Sequence, residues 1–303
     1  MRRSLSHRRD IEGILFGLLG VLCFSVTLPA TRVAVPELGA TIVGLGRAEV
    51  AAALAAVLLL ILRERPPARR HWRGLVVVAL GVVVGFPLCS ALALQYVPAA
   101  HGAVVVGLMP AATAIMAVLR ANERPPRIFW AGVAAGVLAV LIFAVAQGAG
   151  RLQAGDLLLL LAVALAALGY AEGGRLAREL GGWRVICWAL IIAAPVLALP
   201  VALAVGERGF SASPQAWLAF AYVSVISMFF GFFAWYRGLA LGGVARIGQI
   251  QLVQPVFTLI WAAVLLGEHV SIATAGAALL VIASAAVSQR LRAAPAITLA
   301  PPS

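Results

Sequence analysis

Ten runs of about twenty apolar residues, separated by short stretches of Arg, Gly and Pro, leave this chain few places to fold other than a lipid bilayer. They lie near residues 11–32, 39–62, 74–95, 99–119, 128–147, 155–174, 185–206, 214–236, 246–266 and 270–289. Each is long enough for a helix to cross a hydrocarbon core of about 30 Å. A membrane barrel strand would alternate apolar and polar residues over about ten positions, whereas these runs are continuously apolar. Helices satisfy every backbone polar group internally, as lipid requires. Composition agrees: hydrophobic residues make up 63% and charged residues 11% of the 303, against about 25% charged in a soluble chain. The first run follows four Arg residues as a signal peptide would, but it exceeds an h-region in length and no soluble domain follows it. The expectation is an all-α polytopic membrane protein with ten transmembrane helices.

The net charge of +12 and isoelectric point near 11.3 do not imply nucleic acid, because the charge sits in short runs between apolar stretches. All 23 basic residues are Arg. With the N-terminus inside, nineteen of them fall on the cytoplasmic side and three, Arg32, Arg151 and Arg208, outside, while Arg47 lies within the second run. Positively charged loops are retained in the cytoplasm. The segregation therefore predicts an inner (plasma) membrane protein with both termini cytoplasmic. Cys23, Cys89 and Cys187 lie inside apolar runs with no metal or disulfide spacing.

An offset of 145 residues lays Gly107-Leu-Met-Pro-Ala-Ala-Thr113-Ala-Ile-Met-Ala117 over Leu252-Val-Gln-Pro-Val-Phe-Thr258-Leu-Ile-Trp-Ala262. Pro110 falls on Pro255, Thr113 on Thr258 and Glu123 on Glu268; at an offset of 143, Arg32 falls on Arg175. The fourth run thus pairs with the ninth and the first with the sixth. Each half, 11–150 and 151–290, holds five helices between a tail of 1–10 and one of 291–303. Five is odd, so the second half enters the membrane in the opposite sense. Inverted repeats are the architecture of secondary transporters.

The stretch from Ala91 through Leu-Gln-Tyr-Val-Pro-Ala-Ala-His-Gly to Pro110, ending in Glu123-Arg-Pro, resembles the EamA family of the drug/metabolite transporter superfamily. So does the second copy, Gly238 to Pro255 with Leu266-Gly-Glu268. The resemblance runs from about residue 11 to 290 and implies a transporter of small metabolites, among which amino acids, sugars, nucleotide derivatives and toxic compounds occur, often exported. It also matches the family's usual Arg in the second helix to Arg47. Where many members carry Trp in the first helix, this chain has Phe16 and Phe24.

Polar residues inside the membrane are costly and so mark function. Arg47 lies about 12 Å below the outer boundary at 1.5 Å per residue, deep for snorkelling; it reads as a bundle-facing clamp for a carboxylate, a gate partner, or a structural donor to neighbouring helices. Glu49, about 200° further round the helix, does not share its face and is a candidate proton carrier. Gln251, Gln254 and Thr258 form a one-face stripe, and the offset sets Val106, Met109 and Thr113 against it. The two faces, one polar and one apolar, fit a path for an amphipathic molecule, with interhelical packing as the other reading. Pro110 and Pro255 each remove a helix hydrogen bond and are hinge candidates. Glu123 and Glu268 end the fourth and ninth runs, His101 is interfacial, and Ser224, Ser227, Gly231 and Gly238 are spaced for close helix contact. The aromatics between Phe229 and Tyr236 read mostly as lipid-facing or interfacial.

A membrane enzyme acting on a lipid-soluble substrate is the main alternative. The chain lacks an HExxH zinc site, a paired Asp, a GxSxG elbow and a P-loop, and His7, His71, His101 and His269 are scattered. No catalytic residue, metal or cofactor is expected, and the partners are a small-molecule substrate, the lipid bilayer and, through Glu49, protons.

Overall fold

The computed structural model describes residues 2–123 and 154–269, with separate positions of 130–138 and 271–283. Among the described residues it is all helix. Eight helices are long and apolar enough to cross a membrane: α1 Asp10–Leu38, α2 Ile42–Ile61, α3 Arg69–Ala93, α4 Ala99–Arg120, α5 Ala154–Leu180, α6 Gly182–Arg208, α7 Pro214–Gly242 and α8 Val244–Leu266. They correspond to eight of the ten runs. The remaining two, 128–147 and 270–289, lie largely outside the described residues.

Connections of a few residues join α1 to α2, α2 to α3, α3 to α4, α5 to α6, α6 to α7 and α7 to α8, at alternate ends of the bundle within each series. Turns at Gly39, Gly181, Gly209 and Gly243 each take a positive φ, from 74° to 87°, in the range that favours glycine. One end, carrying residues 62–68, Gly181 and Gly243, is crowded with Arg and is called the basic end below. The other carries residues 39–41, 94–98 and 209–213.

In lipid, helices associate through close packing of small residues rather than through a hydrophobic difference. That rule shapes the contact between α1 and α7. A Cβ at Gly238 would stand 2.8 Å from the Gly17 nitrogen and 3.0 Å from the Gly13 oxygen, and one at Gly20 would stand 3.0 Å from the Trp235 side chain. The α3 and α5 backbones meet similarly, since a Cβ at Gly81 would stand 2.6 Å from the Leu165 carbonyl oxygen. This close approach also overturns the lipid-facing reading of the α7 aromatics: Trp235 and Tyr236 are fully buried, and Phe229 and Phe232 are buried. The glycines of α1 and α5 leave room for these rings inside the bundle. Only Phe230 of the group is a clearly exposed large side chain, at 51%.

The helices α4 and α8 lie side by side. The first part of each, Ala99–Val106 and Val244–Gly248, packs on the second part of the other, Gln254–Leu266 and Met109–Ala121 respectively. The two second parts are 13 residues each and begin 145 positions apart.

Candidate transport site

Helical pitch changes near the middle of several spanning helices, and the changes meet around one cavity. In α2 a π-helical stretch, Ile42–Gly46, ends directly before Arg47; in α3 another, Ala79–Gly85, ends before Phe86. In α7 the π-helical stretch is Tyr222–Gly231, and in α8 a 3-10 stretch, Gln249–Val253, precedes Gln254. The α4 helix breaks at Gly107 and Leu108 before Met109, and α1 breaks at Val26 before Thr27.

The sequence supplies the causes. Pro87, Pro110 and Pro255 are each the second residue of the segment after the break. A proline has no N–H to donate and its ring crowds the carbonyl four residues earlier. Those carbonyls belong to Val83, Val106 and Gln251, at or inside the irregular stretches. In α7 the cause is Ser224, whose hydroxyl donates to the Phe220 carbonyl at 2.6 Å, a back-bond that bends helices. An inserted residue in a π turn rotates every later side chain by about 100°, which is how α2 turns Arg47 inward. Such interruptions are frequent at functional sites.

The cavity is lined by Phe24, Thr27, Arg47, Phe86, Met109, Tyr170, Ser227, Phe232 and Gln254, among others. Thr27 and Ser227 share a hydrogen bond of 2.8 Å across α1 and α7. The rings form a cluster, with Phe24 and Phe232 centroids 5.0 Å apart and Tyr170 edge-on to Trp235 at 5.3 Å. Arg47 is 1% exposed. Its Nε reaches only the Gly44 carbonyl, at 3.4 Å, and Nη2 has no partner among the described residues. A guanidinium is charged at any physiological pH, and an unpaired charge in a bundle interior costs several kcal/mol.

The EamA-like transporter family model matches the chain twice, over residues 11–145 and 153–289. The chain belongs to the EamA-like transporter family. It is therefore a membrane transporter of the drug/metabolite transporter superfamily and an integral membrane protein. A Bacillus subtilis (strain 168) protein described as the uncharacterized transporter YdeK is 47% identical over 283 residues, covering 93% of this chain and 98% of that protein. A solved structure described only as a crystal structure of a protein shares the fold, with a TM-score of 0.69 and 22% identity over 92% of this chain and 98% of the other.

In this EamA transporter the residues singled out by sequence divide. Arg47, Met109 and Gln254 line the cavity, while Val106, Thr113, Gln251 and Thr258 do not. Thr258 donates to the Ser25 carbonyl at 2.8 Å, tying α8 to α1. Thr113 is fully buried, with its hydroxyl unpartnered among the described residues. Glu49 is outside the cavity lining and its Oε1 is buried without a partner among the described residues. Pro110 and Pro255 sit at the breaks of α4 and α8. Sequence reasoning missed Thr27, Ser227, Tyr170 and the Phe24–Phe232 pair; the first-helix aromatic position was the available signal, since Phe24 does face the cavity.

Both ends are tied across helices. At the basic end Glu172, buried in α5, is bonded by Arg120 at 3.2 Å and Arg175 at 2.6 Å. His71 meets Glu179 at 2.9 Å, and Arg184 meets Glu64 at 2.5 Å. The Arg184 guanidinium holds the Glu64 carboxyl below its ordinary range. At the other end His101 meets Asp156 at 2.6 Å, Glu37 bonds the Ser213 hydroxyl at 2.7 Å and backbone N–H at 2.6 Å, and Arg32 donates to the Leu94 carbonyl.

Proposed function

We propose that the chain is a secondary transporter of a small metabolite, an amino acid or related amphipathic compound, which it exports across the inner membrane. Two five-helix halves of inverted orientation alternate access to the cavity around Arg47, and both termini are cytoplasmic. The observation that carries this reading is the buried guanidinium without a protein counter-charge, placed where six helices change pitch. An unpaired buried charge waits for a ligand, and a helix interrupted at the ligand's level can pivot there without breaking its outer halves. Two features support the inversion: the family model matches each half, and α4 and α8 break at positions 145 apart.

Alternation requires the ties at each end to open in turn. The basic-end cluster around Glu172 and the His101–Asp156 pair at the other end are the bonds that must exchange. Glu49 remains a candidate for proton coupling, its Oε1 buried without a partner among the described residues.

Purified protein in liposomes, loaded with a panel of amino acids and metabolites and assayed with and without a pH gradient, tests the function. Saturable efflux that Arg47→Ala abolishes is the expected result. Efflux equal to that of protein-free vesicles for every compound would remove transport as the reading.

A further inference from the structure

We infer that the outward face of α3 at the basic end binds an anionic phospholipid, of the phosphatidylglycerol type, from the leaflet that adjoins it. The inference is independent of what the cavity carries.

Charge is the first observation. Between Arg63 and Arg73 the chain has five Arg and one Glu. That glutamate, Glu64, is taken by Arg184 at the start of α6, at 2.5 Å. Glu179 of α5 meets His71 at 2.9 Å and Arg70 at 3.5 Å. The side chains of Arg63, Arg65, Arg69 and Arg73 are exposed and make no hydrogen bond or ion pair among the described residues. Four like charges held on one connection and the first turn after it repel one another, and an anion among them relieves that repulsion.

Their register on the helix is the second. Arg69, Trp72, Arg73, Val76 and Leu80 recur at helical spacing on one face. Trp72, Val76 and Leu80 are 45%, 39% and 58% exposed. The opposite face, with His71, Gly74, Leu75 and Val78, is buried, and this part of α3 packs on α5 and α6. Along the outward face the order is therefore apolar side chains, then an indole, then guanidinium groups, which is the order of a phospholipid from acyl chain to headgroup. Trp belongs at headgroup level, and the Trp72 Nε1–H donates to the Pro67 carbonyl at 3.0 Å, tying the ring to the connection. Arg69 and Arg73 stand one turn apart on the same side, about 6 Å along the axis, so both reach one phosphate. Their planar forks match its oxygens.

Retention of positive loops requires only that Arg be numerous at this end; it does not require unpaired Arg above an apolar stripe. The stripe favours a lipid over a soluble acidic peptide, because Val76 and Leu80 offer the acyl chains a surface that a peptide in water does not reach. A zwitterionic headgroup brings its own cation to the cluster, whereas phosphatidylglycerol brings none.

The test is native mass spectrometry of the purified full chain in detergent, titrated with dioleoylphosphatidylglycerol or dioleoylphosphatidylcholine, with dissociation constants read from the bound fractions. The first phosphatidylglycerol should bind at least fivefold tighter than the first phosphatidylcholine. Arg69→Gln combined with Arg73→Gln should reduce that preference to less than twofold. Arg237→Gln combined with Arg246→Gln, which removes two other exposed Arg from the same end, should leave it intact. A hundredfold excess of inorganic phosphate or of a Glu-rich decapeptide should not displace the lipid. If the first double variant does not fold, Arg73→Gln alone decides and should show half the wild-type preference or less. Equal affinity for the two lipids, equal losses in the two double variants, an unchanged preference in Arg73→Gln, or displacement by phosphate or the peptide overturns the inference.

Discussion

Glu123 and Glu268, 145 residues apart, hold each other's helices. The Glu123 carboxylate, just past the end of α4, accepts the Val244 and Ala245 N–H groups at 2.8 Å each, at the start of α8. The Glu268 carboxylate, just past the end of α8, accepts the Ala99 and Ala100 N–H groups at 3.0 and 2.9 Å, at the start of α4. The two acceptor and four donor positions fall into three pairs at the one offset of 145. The first N–H groups of a helix lack partners within it and carry the positive end of its dipole. Each glutamate satisfies two of them on the neighbouring helix and so fixes the pair at both ends.

Replacing Glu123 or Glu268 by Ala should therefore destabilise the folded protein by about 1–3 kcal/mol through lost charge-assisted bonds. Glu123→Ala should cost more, since Arg178, which meets it at 2.7 Å, also loses its partner. Thermal unfolding of both variants in one detergent measures the difference; equal and negligible shifts would make the caps incidental.

Eight of the ten expected spans were legible because apolar runs of helix length leave one option in lipid. The glutamates could be placed at run ends, but their partners could not, since the Glu123–Val244 bond joins residues 121 positions apart. Pitch changes were legible where proline marks them, at Pro110 and Pro255; the π-helical turn before Arg47 has no such marker. The stripe of Gln251, Gln254 and Thr258 was spaced for one face of a regular helix, yet the 3-10 stretch Gln249–Val253 includes Gln251, and only Gln254 of the three lines the cavity. Trp235 and Tyr236 were misread because hydropathy scores an aromatic alike on either face; the room made by Gly20 and Gly173 is a property of packing.

That packing is itself testable. Gly238→Ala places a Cβ against the α1 backbone at Gly13 and Gly17, where nothing flexible can yield. Overpacking of this kind costs about 1–3 kcal/mol. Gly206→Ala, with nothing within 4 Å of the added carbon, is the control and should unfold no earlier than wild type. Equal melting of the two variants would contradict the α1–α7 contact.

The orientation proposed from the Arg distribution is tested by labelling. In a Cys-free background, Ser211→Cys on the α6–α7 connection should react with an impermeant maleimide in intact cells. Ala68→Cys on the α2–α3 connection should react only after permeabilisation. Both positions are exposed. Labelling at residue 68 from outside would reverse the topology.

Arg47→Ala should abolish or strongly reduce flux while expression and helical content persist, because it removes the charge that the proposed function assigns to ligand binding. Arg47→Lys should retain part of the activity, since an ammonium keeps the charge without the guanidinium fork. Transport and circular dichroism on the same preparations distinguish lost function from lost fold. Full activity of the Ala variant would make Arg47 a packing residue.

Gln254 and Thr258 lie four positions apart on α8 but face different tasks, so matched substitutions should separate. Gln254 lines the cavity; Gln254→Leu keeps similar bulk and removes a donor and an acceptor. If the amide bonds the ligand, binding weakens by about 1–3 kcal/mol, which is about five- to 150-fold in affinity. Thr258 instead donates to the Ser25 carbonyl, so Thr258→Val should lower stability by about 0.6–2 kcal/mol, the range of interhelical bonds in membranes, and leave the affinity of the folded protein unchanged. Affinity and melting temperature measured on both purified variants decide the matter. An affinity loss confined to Gln254 and a stability loss confined to Thr258 is the expected pattern, and the reverse would place the ligand on the α1 side of the stripe.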